Sequence, residues 1–567
     1  MSASPRLLLG LAAVAVAFAA ADTYVVVLAL PEMMTGAGLA VDELQRAAPI
    51  VSGFLLGYVA MLPLIGRIAD LRGRLPVLVG SLVVFALGSL VTAASYDLAS
   101  MVVGRFLQGM GGGGLVPATL ALVADIYPPR RRGVPLGVVG AVQELGSVVG
   151  PLYGAVVLAV ADWEAIFWLN LAVGLVLAAV LAASGGDRPA RRRTWDVPGA
   201  VLAAAVVGLL TLVLLEPDPL TEGVTTGLAF LPVVGGSRWL SPLTLTLLAV
   251  VTALVVHSLR ADRPLLDLRG WARTGRSADL PGAGLLALSL GGVILAFATA
   301  DPEVEVFSPA GPWYLTLAVA AALLFWLRHR RVADSLVPHG AFRAAPAWGS
   351  VVVSFFVGSA LIAALVDIPL FARVTVHPDS QLMAALVLVR FLVALPVGAL
   401  VGGSLVRSVP TGVVTAAGMA LAAVGFAWMS GWGLESLADP VSTVPLVLGG
   451  LGFGLALAPV NAALLAATED AVHGVASALL VVARMVGMLV GISALTTIGL
   501  RRYYSVQSDL PAPAEVCGGA TRCAEYTTLL REAGLAQLQT VFVGAAVASV
   551  VAGVLALVTF RSLRTAA

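Results

Sequence analysis

Five ionisable side chains fall inside long apolar stretches of this chain: Asp22, Arg105, Glu144, Arg390 and Arg484. A carboxylate can take up and release a proton, whereas an arginine stays charged. An acid deep in hydrocarbon costs about 2.5–3.5 kcal/mol on insertion scales, so Asp22 belongs against a protein interior or a water-filled cavity. The chemistry these residues suit is proton coupling. Asp22 is the protonation switch and Glu144 a second acid near the midplane. Arg105 biases the proton affinity of Asp22, because a close positive charge lowers the pKa of an acid. Gln108, Gln143, Asp367, Arg390 and Arg484 are the candidate cavity and charge partners, with Asp367 close to an outer end. The competing reading of Asp22 is a hydrogen-bonded structural acid; that of Arg390 and Arg484 is structural pairing or snorkelling.

Elements that can hold such groups must cross a membrane. The chain has 567 residues, 59% hydrophobic and only 11% charged, with a mean hydropathy of +0.99. Soluble domains carry about 25% charged residues, so most of this chain belongs in lipid. All 33 basic residues are arginine, and the net charge of +1 excludes the basic face that a nucleic-acid partner requires. No phosphate-cradling Gly-rich motif points to an ATP motor, and no catalytic, metal or cofactor constellation stands out, so an enzyme is not expected.

Asp22 sits in the first span, 7–30, which is too long for the apolar core of a secretory signal. Further spans cover 46–65, 75–95, about 100–124, 134–160 and a sixth that ends near 183. The short connections Gly66 to Arg74 and Asp125 to Gly133 carry Arg67, Arg72, Arg74 and Arg130 to Arg132. The positive-inside rule places them, and the N-terminus, in the cytoplasm. Residues 1–184 read as an N-terminal six-helix bundle. Within the fifth span, Gly146, Gly150, Pro151 and Gly154 form a helix-packing stripe, small residues letting backbones approach and the proline bending the helix.

Residues 185–344 read as linkers plus a duplicated two-helix hairpin. Asp196-Val-Pro-Gly opens a span that closes at Asp218-Pro219; Asp279-Leu-Pro-Gly stands 83 positions after it and opens another that closes, 83 after Asp218, at Asp301-Pro302. Arginine-bearing segments follow each return span, with Gly270 and Arg273 matched by Gly340 and Arg343. Residues 345–567 read as a second six-helix bundle with an outer loop, 501–536. Six, four and six spans make about 16, with both termini cytoplasmic. The loop holds the two cysteines, Cys517 and Cys523; facing an oxidising exterior they suit a disulfide, two free thiols being the alternative.

The motifs resemble the major facilitator superfamily over nearly the whole chain. Gly66, Asp70, Gly73 and Arg74 match the loop between its second and third helices, although Leu71 stands where a basic residue is usual. Arg105, Gln108 and Gly109 match the fourth-helix motif, and Gly146, Gly150, Pro151 and Gly154 the fifth-helix antiporter motif. With Trp163, Phe167 and Asn170 in the sixth span, the set resembles the fourteen-helix drug:proton antiporter branch. AADTYVVV around Asp22, QELGSVVGPLYG from Gln143, LVDIPLF around Asp367 and GVASALLVVARMVGM from Gly474 are similar to mycobacterial inner-membrane exporters tied to triacylglyceride transport and drug tolerance.

The resemblance implies an all-α polytopic fold of two six-helix bundles in a bacterial inner membrane; the relatives carry one inserted hairpin, and the repeat read here makes two, four inserted helices. It implies a proton-driven exporter of lipophilic cargo that works by alternating access. Its partners are then membrane lipids, a hydrophobic or amphipathic substrate and protons, with a periplasmic lipoprotein on the loop around Cys517 an open further partner. A latch is expected from Gly66, Asp70, Gly73, Arg74, Asp125 and Arg132, the Asp70 carboxylate holding the positive end of the helix that starts near His473. A multidrug:proton antiporter without a lipid role, and a non-transporting sensor or scaffold, stay open as alternatives.

Overall fold

The fold is known from a computed structural model, which describes residues 4–39, 44–184, 196–234, 237–262, 264–298, 310–377, 380–518 and 523–561. The linker 185–195, the closing Asp301-Pro302 of the second hairpin and the side chain of Pro151 lie outside the described residues. Apolar spans rich in Ala, Val and Leu leave the backbone one solution in lipid, since a helix alone satisfies every N–H and C=O within one segment. Among the described residues the chain is helical throughout, with no strand.

The first bundle comprises α1 (Pro5–Gly36), α2 (Leu44–Arg72), α3 (Arg74–Ala93), α4 (Leu98–Ile126), α5 (Gly133–Leu158) and α6 (Glu164–Ser184). The insert holds α7 (Val197–Leu215), the single turn α8 (Asp218–Thr221), α9 (Pro242–Arg260), the short α10 (Leu268–Ser277), α11 (Leu280–Ala298) and α12 (Gly311–Arg331). The second bundle comprises α13 (Ala345–Val374), α14 (Gln381–Leu405), α15 (Thr411–Met429), α16 (Thr443–Ala467), α17 (His473–Ser508), the turn α18 (Pro513–Val516) and α19 (Ala524–Thr559). Among the described residues, fifteen helices are long and apolar enough to cross a membrane by length and composition, and α5, with 26 residues, is a further long helix packed among them.

Within the first bundle α1 lies along α5, while α4 packs on α2 and α3, and α3 on α6. Within the second, α13 packs on α17 and α19, and α16 on α14 and α15. The seam between bundles is made by α2 with α17 and by α5 with α14. Helices α7 and α9 pair with each other, as do α11 and α12, and α11 also lies along α2. Connections bearing Arg72 and Arg74, Arg130 to Arg132, Arg260, Arg328 to Arg331, Arg407 and Arg561 all fall at one end of the molecule, the arginine-rich end.

The two inserted hairpins are built alike. Asp196 accepts from the N–H of Gly199 at 3.0 Å and of Leu265 at 2.7 Å, and its Oδ1 lies 2.7 Å from His257 Nε2. Asp279 accepts from the N–H of Gly282 at 3.2 Å and of Leu336 at 3.1 Å, and from Arg328 Nε at 2.8 Å. Each acid caps its first helix and receives a base from the return helix. The N–H of Leu265, with that of Gly199, holds the Asp196 carboxyl below its ordinary pKa. Gly270 and Gly340 share a sequence spacing but not a structure: the first lies in α10, the second in a turn with φ +88°.

The segment 501–536 is not the loop expected. Helix α17 continues to Ser508 and α19 begins at Ala524, each running 36 residues. Among the described residues between them, 509–512, 517, 518 and 523 lie outside helices, and Cys517 and Cys523 form a disulfide. Beyond lipid a helix no longer needs apolar side chains, so Arg501, Arg502, Glu525, Arg531 and Glu532 extend it as readily as leucine does.

Candidate functional site

Asp22 lies mid-way along α1 with 1% of its surface exposed. Arg105 of α4, equally buried, places Nη1 3.0 Å from Asp22 Oδ2. Gln108, one turn further along α4, donates to Asp22 Oδ1 at 3.4 Å, and Asn170 of α6 donates to the same oxygen. Gln108 is itself fixed: its Oε1 accepts from Arg105 at 2.8 Å, and its Nε2 donates to Ser89 Oγ at 2.9 Å. The Arg105 guanidinium stands 4.5 Å from the centre of the Phe54 ring and 5.8 Å from that of Phe167. Two helices, α4 and α6, thus present three donor side chains to one carboxylate on α1, inside one bundle. In its charged form Asp22 is paired and hydrogen-bonded; a proton on it removes the ion pair and leaves Arg105 without its counter-charge. Protonation therefore changes the energy of this site by a large amount.

The small residues of α5 bring that helix against α1 at this level. A side chain at Gly146 would meet the carbonyl oxygen of Ala17, one at Gly150 that of Ala21, and one at Gly154 the side chain of Val25. Larger residues there would push α5 off the wall that holds Asp22.

The second acid has its partner across the seam. Glu144 of α5 lies 3.9 Å from Arg484 Nη1 of α17, both side chains about a tenth exposed. Beside them is a cavity between the bundles of about 530 Å³, counting the part open to solvent. Val116, Val139, Val357, Leu457 and Leu480 make its walls apolar, and Gln143, Ser354, Asn461 and Arg484 supply its polar groups. An apolar chamber with few polar groups suits a lipophilic ligand. Arg390 is not part of it. Its side chain is exposed and donates to Thr443 Oγ1 at 3.2 Å on the outer face of the second bundle. Helix α14 is apolar all round, exposing Val393, Val397 and Leu400 as well, so sequence pattern could not say which way Arg390 points. Asp367 is buried in α13, 7% exposed, away from the two charge pairs.

At the arginine-rich end the bundles are fastened together. Asp70, at the end of α2, accepts from the N–H of Gly474 at 2.7 Å and of Val475 at 3.0 Å. These are the orphan donors of the α17 N-terminus, where the helix dipole also favours a negative charge. Arg74 pairs with Asp70 at 3.2 Å and with Asp125 at 3.4 Å, and donates to the carbonyl of Asp470 at 2.7 Å. Arg132 donates to the carbonyls of Ala124 and Tyr127 and stands 3.8 Å from Asp470. Gly73, with φ +96°, turns the chain between α2 and α3 as a residue with a Cβ rarely does. Gly133 and Gly137 of α5 meet Gly403 and Ala399 of α14 at the same end, so the contacts named across the seam close this end of the cavity.

Gly66 shows how tight that closure is. A Cβ there would stand 2.5 Å from the carbonyl oxygen of Gly474 and 2.8 Å from Ala478 Cβ. Gly66→Val is expected to open the arginine-rich end, since such overpacking costs about 1–3 kcal/mol. Spin labels on the exposed Leu71 and Glu469 read the separation of the two bundles there; an unchanged distance distribution would show that the contact does not hold the ends together.

Sequence reasoning gave no role to Asn170, Asn461, Asp470 or the aromatic walls around Arg105. Asn170 stood beside Phe167 in the sixth-span motif, which was the available signal. Asp470 sits in a polar turn with nothing in its spacing to tie it to Arg132.

The sequence profile of the Major Facilitator Superfamily matches residues 12–327. A triacylglyceride transporter of Mycolicibacterium smegmatis is 33% identical over 559 residues, 96% of this chain and 85% of that protein. A triacylglyceride transporter of Mycobacteroides abscessus is 34% identical over 506 residues, 88% of this chain and 82% of that protein. Among solved structures, the human organic anion transporter MFSD10 superposes with a TM-score of 0.56 at 15% identity, covering 98% of this chain and 99% of that one; it is similar in fold alone.

Proposed function

The chain belongs to the major facilitator superfamily and is a multi-pass membrane transporter, not an enzyme; from that premise we propose that it exports triacylglyceride-like lipids by alternating access, driven by protons. The observation that carries the proton reading is the buried Asp22 carboxylate with Arg105, Gln108 and Asn170 around it. A carboxylate so enclosed is costly unless gaining and losing its charge does something. The cargo reading is supported by relatives named triacylglyceride transporters that share a third of their residues over most of the chain, and by the apolar walls of the central cavity.

In this reading the arginine-rich end faces the cytoplasm. Residues 1–184 and 345–567 are the two rocking units, and 185–344 the insert between them. The Asp70 contacts then latch the cytoplasmic side shut while the cavity faces outward, and releasing them permits the opposite state. Moving such an equilibrium from 1:99 to 99:1 takes about 5.5 kcal/mol. One charge crossing 100 mV supplies about 2.3 kcal/mol, so one or two protons are the right scale.

The test is transport in vesicles holding the purified protein, with an imposed proton gradient and two cargoes, a labelled triacylglyceride and a cationic dye. Gradient-dependent movement of the triacylglyceride is expected. Movement of the dye alone would replace the lipid reading with a drug antiporter, and movement of neither would leave a scaffold.

A further inference from the structure

We propose that the arginine face of α10 is a docking surface for the anionic headgroups of the membrane leaflet at the arginine-rich end. Helix α10 is strongly amphipathic. Arg269, Arg273 and Arg276 lie within about 60° of one another at 100° per residue, and all three side chains are exposed. Trp271 points the other way, into the first bundle, where the Arg72 guanidinium stands 4.5 Å from the centre of its ring and its edge lies over Gly80 of α3.

The inner face of the helix is anchored. Asp267 caps it, accepting from the N–H of Gly270 at 2.9 Å, and also accepts from Arg72 Nη2 at 2.6 Å. The acid that adjoins the helix is hydrogen-bonded to Arg72, which holds it below its ordinary pKa, and its attraction to Arg273 is the weaker one. The outer face keeps its three positive charges at fixed positions, with no acid on α10 itself to offset them.

Chain connectivity then decides what those charges meet. Only Ala278 and Asp279 separate α10 from the membrane-crossing α11, a reach of about 7 Å. The helix is only about 15 Å long, so its arginines stay at the level of the lipid headgroups and cannot stand off into solvent. A fixed row of arginines in that plane is complementary to anionic phospholipid, each worth a several-fold gain in binding. The matching segment after α12 has no such helix, so the surface belongs to the first hairpin alone.

The experiment uses the full chain in nanodiscs of phosphatidylcholine, with and without phosphatidylglycerol, and follows deuterium uptake over residues 268–277. Phosphatidylglycerol is expected to slow exchange on the order of 100-fold in the wild type if all three arginines engage. Arg269→Gln/Arg273→Gln/Arg276→Gln should abolish this difference, and Arg276→Gln alone should reduce it about fivefold. Equal exchange in the two lipids would overturn the proposal. So would a lipid effect that survives the triple substitution, or one that inorganic phosphate reproduces in phosphatidylcholine alone. An added soluble acidic protein that protects the helix in neutral lipid would show a protein surface in place of a lipid one.

Discussion

Asp22→Asn is expected to reach the membrane and to lose gradient-driven transport entirely. At 100 mV one proton sustains about a 50-fold cargo gradient, from about 2.3 kcal/mol per charge; without a titratable group the ratio returns to unity. Asn170 and Arg105 donate to different oxygens of Asp22, and the single asparagine oxygen accepts from only one of them, but the substitution is nearly isosteric, so the shape of the site is kept. Its charge is not. Arg105, 3.0 Å away and 1% exposed, is left as a buried cation without a counter-charge, which costs about 3–5 kcal/mol. A fall in stability therefore accompanies the fall in transport, and the two must be separated. Asp22→Asn/Arg105→Gln removes both charges and should recover most of the stability. If the acid carries protons, the double variant stays inactive. Recovery of gradient-driven transport in that variant would show Asp22 to be a structural acid.

Asp22 was legible in the sequence because an acid in an apolar run has a price that only function or pairing explains. The pairing itself was less so. Arg105 could be placed with Asp22 because both are charged and lie in spans, but Asn170 is cheap to insert and carried no comparable signal. The partner of Asp70 was legible as the positive end of the helix that starts near His473, whose Gly474 and Val475 N–H groups it accepts from. Arg72 was not, since its partners Asp267 and Trp271 lie 195 and 199 positions on and no local pattern links them. The helical extensions of α17 and α19 beyond the apolar spans were not legible, because a polar stretch between two spans reads as loop. In a soluble domain a polar stretch lacking a hydrophobic face often does mean that, but a helix leaving a membrane is already nucleated and needs only compatible residues to continue. Arg390 failed for a related reason: periodicity marks a buried face only where the opposite face is polar, and a lipid-facing helix has no polar face.

The Glu144–Arg484 pair is expected to show the second large effect, because it joins α5 of one bundle to α17 of the other and so depends on how the bundles sit. The Asp22–Arg105 pair lies within one bundle and does not span the seam. At 3.9 Å and about a tenth exposed, the seam pair falls short of a fully buried, tightly hydrogen-bonded bridge. A coupling on the order of 1–3 kcal/mol is the appropriate scale for charges in direct contact. Glu144→Gln and Arg484→Gln each remove one side of the contact across the seam, and each should shift the population away from the state closed at the arginine-rich end. About 2 kcal/mol is roughly a 30-fold change in that ratio. The double substitution removes both charges, so its shift should be much smaller than the sum of the two singles. Distances between labels at Leu71 and Glu469, measured for all four proteins, give the cycle. Strictly additive shifts would mean the two charges do not feel each other, and the coupling of proton and cargo would then have to run from Asp22 to the seam through the packing of α1 against Gly146, Gly150 and Gly154 alone.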